Sequence, residues 1–341
     1  MSNYPSISSY FLSAALKHYK DGPARDQLLR RHHISPELLN SPTARIAGNH
    51  FADLLRDLML TMEDEILGYG AQPQRLGCWQ TMSKLACQQQ DLQGALLELA
   101  RFYRLIPWGV QSRFRHRGDI ATFSLTPDAG QVFEPYLYES FLFYIYRMAN
   151  WLISSQIPLT RVDFNFPRPR HHREYRFLFL CRNIRYEQDR CQLHFPASFQ
   201  HRPVEQNALS LSRFLQHVNL STIAQTFTRD SWRERVWQEI EQHLPRNVTF
   251  AEIARSLGLP AHQLRQHLHN EGYDYREIKD QLRRDRAIHF LSIDGLSVEQ
   301  TSAQLGFSEP SAFIRAFKQW TGVQPGTYKR RRSTPGRIQA G

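Results

Sequence analysis

Three histidines and a glutamate concentrate in one short stretch of the chain and could ligate a metal ion. They are His262, His267, His269 and Glu271. A zinc-binding helix of the H-E-x-x-H type places two histidines four residues apart, with the catalytic glutamate directly after the first. That pattern is absent here, so we predict no metal site in this stretch.

The four cysteines are the other candidate ligands: Cys78, Cys87, Cys181 and Cys191. No two of them form a C-x-x-C pair, and their spacing is too wide for a zinc knuckle or a redox dithiol. The sequence also contains no G-x-S-x-G elbow, Walker loop or dinucleotide-binding glycine run. We therefore predict buried free thiols, no cofactor and no enzymatic activity.

The chain is strongly basic. It has 341 residues, with 43 Lys and Arg against 32 Asp and Glu, and a net charge of +11. This length is typical of two domains, and the charge favours a polyanionic partner, although a solvated basic surface explains it equally well. No run approaches the roughly 18–20 apolar residues of a membrane span, and the first residues carry no secretory signal pattern. We expect a cytoplasmic protein with no membrane partner.

From about Ser231 onward, the chain predicts a series of helices. Three pairs have the spacing of a capping box: Ser231 with Glu234, Thr249 with Glu252, and Asp274 with Glu277. Apolar residues recur at helical spacing behind each pair, and Pro245, Gly258 and Gly272 end the segments. The C-terminal third is therefore predicted to be all-α.

Two of these helix pairs repeat one pattern. Residues 250–258 and 298–306 align without gaps at an offset of 48, and both segments end in glycine. A second helix then follows with an apolar pair spaced by four residues, Leu264 and Leu268 in one copy and Phe313 and Phe317 in the other. A helix, a tight glycine turn and a second helix form the helix-turn-helix signature. Two copies indicate DNA binding more strongly than one.

One long helix is predicted to join the two copies, from about Tyr275 to Leu291. About 17 residues at about 1.5 Å each span about 25 Å. With a helix-turn-helix body at each end, the two second helices would lie about 34 Å apart, which is one turn of B-DNA. This spacing predicts that both enter successive major grooves on one face of the duplex.

The N-terminal two-thirds is mixed in character. Leucines at helical spacing lie near residues 54–58 and 92–99, and residues 133–153 predict a long, aromatic-rich helix. Residues 120–125, 162–166 and 191–195 alternate between apolar and polar side chains, as strands do. We therefore predict an α+β domain.

The C-terminal segment carries a specific combination of motifs. They are Leu305-Gly306-Phe307-Ser308, Phe313-x-Arg315-x-Phe317-Lys318, Thr321-Gly322-Val323-x-Pro325 and Tyr328-Lys329. Over about 100 residues this segment resembles the AraC/XylS family of transcription regulators. The N-terminal region is more weakly similar to the arabinose-binding-type module of such regulators, through residues 38–46 and 177–193. That name does not imply arabinose as the ligand here.

Some positions depart from the family pattern. Thr301 and Ser302 stand where the second unit usually has an apolar residue and an alanine, which suggests looser packing of that helix. Gly326 replaces a residue that favours a helix more strongly. Neither change removes a position that would face a DNA groove.

The resemblance implies which residues face DNA. The base-edge candidates are His262, Arg265 and Gln266 in the first unit, and Ser311, Ala312 and Arg315 in the second. The spacing agrees, because these positions point away from the apolar pairs. Arginine commonly binds guanine and glutamine commonly binds adenine, whereas His262 and Ser311 could instead reach phosphate. In the basic tail we expect Arg330 to contact the backbone, although that end is equally consistent with disorder.

The N-terminal module offers candidates for binding a small molecule, although core packing or a solvated loop explains each of them more simply. The aromatic helix contributes Tyr144, Arg147 and Trp151, and a basic segment that could meet an anion contributes Arg168 and His171.

Together these features predict a sensor and dimerisation domain over residues 1–220 and a DNA-binding domain over residues 231–332. The helix-turn-helix units would span about 249–271 and 297–321, followed by a flexible tail over 333–341. The resemblance implies a homodimeric regulator of bacterial promoters that binds double-stranded DNA, contacts RNA polymerase as an activator and responds to a small-molecule effector. The alternative is an N-terminal domain that only dimerises or binds a protein partner.

Overall fold

The computed structural model describes residues 5–20, 22–216 and 231–328. The N-terminal part is α+β, and the part after residue 231 is helical, as predicted. The N-terminal helices are α1 (Ser9–Leu16), α2 (Pro23–Arg31), α3 (Gly48–Met62), α4 (Cys78–Cys87), α5 (Leu92–Arg104), α6 (Pro135–Leu152), α7 (Tyr175–Leu178) and α8 (Ala208–Gln216). The strands are β1 (Ser6–Ser8), β2 (Arg45–Ala47), β3 (Val110–Arg117), β4 (Ile120–Pro127), β5 (Arg161–Asp163), β6 (Ile184–Arg185) and β7 (Cys191–Pro196).

A five-stranded sheet with the order β3-β4-β7-β5-β6 forms the centre of the N-terminal domain. Its inner face is apolar and packs against α5 and α6, because alternate side chains of each strand point to the same side. On β3 the inner residues are Val110, Ser112 and Phe114, and the outward side chains are charged. The strand predicted at 162–166 is shorter, since β5 ends at Asp163, and the centre of the Phe164 ring lies 4.7 Å from that of the Tyr175 ring.

A second, two-stranded sheet pairs β1 with β2, and Ser6 lies opposite Ala47. It packs against α1 and α3, and on its other side β2 contacts the C-terminal region. Each of its strands has only three residues, too few to show an alternating pattern in the sequence. This small sheet is one of the places where the two halves of the molecule meet.

The C-terminal region has six helices among the described residues. They are α9 (Trp232–His243), α10 (Phe250–Ser256), α11 (Ala261–Glu271), α12 (Tyr275–Ser292), α13 (Val298–Gln304) and α14 (Pro310–Thr321). A 3-10 turn at Pro325–Tyr328 follows. The predicted repeat is present, since α10 with α11 and α13 with α14 each turn at a glycine in the left-handed region, Gly258 at φ 71° and Gly306 at φ 72°.

Only one of the three predicted capping boxes is complete. Thr249 and Glu252 bond reciprocally at the start of α10. At α9, the Ser231 hydroxyl accepts from the Glu234 amide, without the return bond of a complete box. The box predicted for α12 is wrong. Asp274 accepts from the amide of Arg276, while the Glu277 carboxylate lies 2.8 Å from Arg176 of the N-terminal domain. A distant cation replaces the local backbone donor as its partner.

The four cysteines are all free. Cys181 and Cys191 are buried as predicted, whereas Cys78 and Cys87 are partly exposed. Over residues 5–20, 22–216 and 231–328, no helix combines the length and the apolar character that a bilayer crossing requires.

Candidate functional site

The first helix-turn-helix unit closes around its own apolar core. Ile253 and Ala254 of α10 and Leu264 and Leu268 of α11 are each at most 2% exposed. They pack with α9, whose apolar residues complete the same cluster. The opposite face of α11 is therefore left to solvent.

The three predicted contact residues of this unit, His262, Arg265 and Gln266, are all exposed on α11. The guanidinium of Arg265 lies 5.3 Å from the centre of the Phe250 ring, and the Gln266 amide donates to Asn270 at 2.9 Å. Both long side chains are thus held by neighbours at the surface.

The nearby histidines and glutamate do not converge. The His267 ring stacks on Trp232 at 4.6 Å, and the Glu271 carboxylate accepts from the backbone amides of Trp232 and Arg233 at 2.8 and 2.9 Å. Among the described residues, no three His, Cys, Asp or Glu side chains are grouped as metal ligands. Glu271 instead caps α9, a role that sequence spacing did not reveal.

The second unit has the same helices but different side chains beneath them. Thr301 and Ser302 of α13 replace Ile253 and Ala254, and they are 0% and 1% exposed. Both side chains are enclosed, and the looser packing expected of this helix stays a prediction. Neither hydroxyl has a hydrogen-bond partner among the described residues, so the substitution costs desolvation energy.

On α14, Ser311 and Arg315 are exposed and Ala312 is half-buried, while Phe313 and Phe317 are fully buried. The Ser311 hydroxyl donates to Glu309 at 3.1 Å, so it is already engaged.

Sequence reasoning missed two exposed residues on the same side of α14. Lys318 and Gln319 follow Arg315 by three and four residues and lie on its face of the helix. That spacing was the signal that could have identified them. Arg330 and the rest of the tail lie outside the described residues.

The joining helix α12 has 18 residues, which correspond to about 27 Å. Ile278 and Leu282 in its first half belong to the core of the first unit. Ala287, Ile288 and Leu291 in its second half belong to the other core cluster, together with Phe313 and Phe317. One helix is therefore embedded in both units.

The second unit shares its core cluster with the N-terminal domain, and a polar network crosses between them. Arg45 of β2 is central to this network. Its guanidinium donates to Glu174 at 2.8 Å and to the Ser6 hydroxyl at 2.7 Å, and Ser6 donates to Asp285 of α12 at 2.5 Å. Burial raises the pKa of Glu174, but the charge and the hydrogen bond of Arg45, together with the charges of Arg284 and His171, outweigh burial and lower the pKa.

Tyr328 adds two further bonds to the same strand. Its hydroxyl donates to the Arg45 carbonyl at 2.7 Å and accepts from the Arg45 amide at 3.1 Å. The first unit makes its own contact with the N-terminal domain, where Arg176 donates to the Gly272 carbonyl at 2.5 Å and pairs with Glu277. Both units are thus attached to the N-terminal domain.

A cavity of about 930 Å³ lies among α3, α4, α5, α6 and α8 of the N-terminal domain. Ligand sites of drug-sized molecules range from about 300 to 1,000 Å³. The lining is mostly apolar and includes five aromatic rings, those of Trp79, Tyr103, Tyr136, Phe141 and Tyr144. Of the predicted ligand residues, Tyr144 lines this cavity.

The other four predicted ligand residues lie elsewhere. The Trp151 ring stacks on Phe214 at 4.5 Å, and burial lowers the pKa of Arg147 to about 10. Arg168 lies in an exposed contact with a neighbouring histidine. His171 stacks on Tyr10 at 3.4 Å and lies 3.1 Å from the buried carboxylate of Glu139.

Comparison with known proteins agrees with this architecture. The arabinose-binding domain of AraC transcription regulators, N-terminal, matches residues 22–204, and a helix-turn-helix domain matches residues 253–331. The ornithine utilization regulator of Pseudomonas aeruginosa is 25% identical over 90% of this chain and 91% of its own length. An uncharacterized HTH-type transcriptional regulator of Mycobacterium tuberculosis is 40% identical over 83 residues, 24% of each chain.

Among solved structures, the transcriptional regulator CdpR of Pseudomonas aeruginosa is 20% identical. The overlap covers 89% of this chain and 95% of that one, with a TM-score of 0.32. At this TM-score no structural detail is transferred.

Proposed function

This chain belongs to the AraC family of transcription regulators, and we propose that its two helix-turn-helix units bind one DNA site through successive major grooves. In this proposal α11 and α14 are the recognition helices. His262, Arg265 and Gln266 face DNA in the first unit, and Ser311, Ala312 and Arg315 in the second. Arginine and glutamine side chains would contact base edges, and the shorter side chains would position the helices through phosphates.

The observation that supports simultaneous binding is the embedding of α12 in both units. Because its two halves pack into two different apolar clusters, neither unit can rotate about the helix axis without exposing apolar surface. The length of about 27 Å, together with the bodies at each end, suits a separation of one DNA turn.

Footprinting on the promoter region upstream of the protein's own gene tests this proposal. We expect one protomer to protect roughly 20 bp, with contacts in two adjacent major grooves. Protection of only about 6 bp per protomer would show that the second unit does not bind with the first. Absence of any salt-dependent binding would contradict DNA recognition altogether.

We also propose that the N-terminal domain, residues 1–220, dimerises and senses a small-molecule effector. The bound dimer would contact RNA polymerase as an activator, in the cytoplasm where bacterial DNA lies. Family membership and the cavity support these points. The name of the ornithine utilization regulator suggests a nitrogen-containing metabolite as one class of effector. Residues 231–332 form the DNA-binding domain in this proposal, with 333–341 as a tail, and no reaction is assigned to the protein.

A further inference from the structure

The cavity of the N-terminal domain has a polar end that its own residues leave incompletely bonded. Gln74 and Tyr103 are 3% and 0% exposed and both line it. The side-chain carbonyl oxygen of Gln74 and the indole nitrogen of Trp79 have no hydrogen-bond partner among the described residues, whereas the Tyr103 hydroxyl interacts with the Gln74 side chain. A buried polar atom without a partner is costly, so two in one cavity indicate a missing partner.

A carboxylate lies among these three groups. Glu65 accepts from the backbone amides of Gly77 and Trp79 at 2.7 and 2.8 Å, and from the Gln74 amide nitrogen at 2.9 Å. A carboxylate offers about four acceptor sites, so one remains. No Lys, Arg or His of the described residues lies within ion-pair distance of it, and burial raises its pKa. The negative charge is thus held in a largely apolar cavity without a cation.

Among the lining residues that the structure describes, Arg56 and Lys84 are the only basic ones, and both are exposed to solvent. An anionic ligand would therefore be repelled by the Glu65 carboxylate at the buried end, and could pair with a cation only at the surface. Trp79 and Tyr103 line the same cavity as Glu65, and aromatic rings attract cations to their faces.

We propose that this cavity binds an organic ammonium ion with an apolar body that also carries a hydroxyl or carbonyl oxygen. The ammonium would donate to Glu65, to the Gln74 oxygen and to the Tyr103 hydroxyl. The oxygen of the ligand body would accept from the Trp79 indole. The role of this ligand as an effector rests on the proposed effector-sensing function, but its binding to the cavity does not.

The position of the cavity suits an effector. Leu211, Ser212 and Leu215 of α8 form one of its walls. That helix is the last element that the structure describes before the DNA-binding region begins at Ser231.

Three probes share a six-carbon chain with one hydroxyl and differ in the charge of the other end group. They are 6-amino-1-hexanol (positive), 1,6-hexanediol (neutral) and 6-hydroxyhexanoate (negative). Titration calorimetry on the full-length protein without DNA measures their binding. We expect the amino alcohol to bind about tenfold more tightly than the diol, and the anion to bind least. Equal or tighter binding of the diol or the anion would overturn the proposal, and so would the absence of binding by all three.

Two variants test the residues. Glu65→Gln should abolish the preference for the amine over the diol, whereas the matched change Glu63→Gln, on an exposed residue outside the cavity, should leave it intact. Retention of the preference by folded Glu65→Gln would refute the assignment. Glu65 also accepts hydrogen bonds from its own loop, so Glu65→Gln can fail to fold, and Tyr103→Phe is then the variant to test. Tyr103→Phe should weaken binding of the amino alcohol about threefold. Unchanged binding by this variant would refute the assignment. These titrations contain no DNA, so a failure of the proposed DNA binding would not change the ligand preference that they measure.

Discussion

The two helix-turn-helix units share one backbone pattern but differ in what stabilises them. The first has a closed apolar core of its own, built from α9 to α12. The second has two enclosed hydroxyls in place of Ile253 and Ala254, and its core continues into the N-terminal domain. Two units with the same sequence pattern therefore need not be equally stable without the N-terminal domain. The second unit depends on the N-terminal domain for part of its burial, whereas the first unit contacts that domain through Arg176 without sharing its core.

The largest expected effect comes from disturbing the helix that both units share. Inserting one alanine after Asp280 adds about 1.5 Å and rotates the far unit by about 100°. Because the recognition helices then face different directions, specific affinity should fall to the non-specific level, about 4 kcal/mol or more. A gel shift with cognate and random DNA measures this loss, and circular dichroism should show that the helices remain.

The insertion also tests the coupling between the units. A four-residue insertion nearly restores the rotation but adds about 6 Å, so we expect partial recovery at most. Normal binding by the one-residue insertion would show that the units act independently.

Next in size is the loss of the network that joins the second unit to the N-terminal domain. Arg45→Ala leaves Glu174 as a buried carboxylate without its cation, so the free energy of unfolding should fall by about 3–5 kcal/mol. Chemical denaturation measures the loss. Hydrogen exchange should show faster exchange in α14 than in α11.

Lys17→Ala is the control, since its ion pair with Glu134 is exposed and should contribute at most about 1 kcal/mol. If Arg45→Ala accelerates exchange equally in α11 and α14, the second unit does not depend on the N-terminal domain for its stability more than the first unit does.

Smaller effects are expected at the DNA-facing side chains. Arg315→Ala should weaken cognate binding by about 1–3 kcal/mol and relax the preference at one base pair. Arg265→Ala should cost more within that range, because the Phe250 ring already orders its guanidinium and less entropy is lost on binding. Binding to sites with every base varied in turn measures both. An equal loss on cognate and random DNA would place the affected arginine on phosphate.

The smallest effect concerns the buried hydroxyls. Thr301→Val removes an unpartnered hydroxyl while retaining the shape of the side chain, so the free energy of unfolding should rise by about 1 kcal/mol. The reciprocal change Ile253→Thr in the first unit should lower it by at least as much. Thermal unfolding measures the pair. A destabilised Thr301→Val would mean that the hydroxyl has a partner in solution.

Sequence reasoning predicted the helical repeat because its signals are local. A glycine that adopts a positive φ, an apolar pair spaced by four and a proline at the first turn act within a few residues. The strand β3 was not predicted, since the polar Ser112 interrupts the apolar residues on its inner face. The cavity was not predicted either, because its lining comes from five helices and a loop that are distant in the chain.

By itself, then, the sequence determined the Thr249 cap of α10, the glycine turns, the length of α12 and the family to which the chain belongs. Only the tertiary structure decided the partners of the charged groups. Glu277 stands at the third position of α12, where a local cap is expected, yet it pairs with Arg176, 101 residues away. Likewise, nothing near Arg45 in the chain indicates Glu174 or Asp285 as its neighbours. A charge makes its strongest bond to whichever opposite charge shares its buried environment, and folding alone creates that environment.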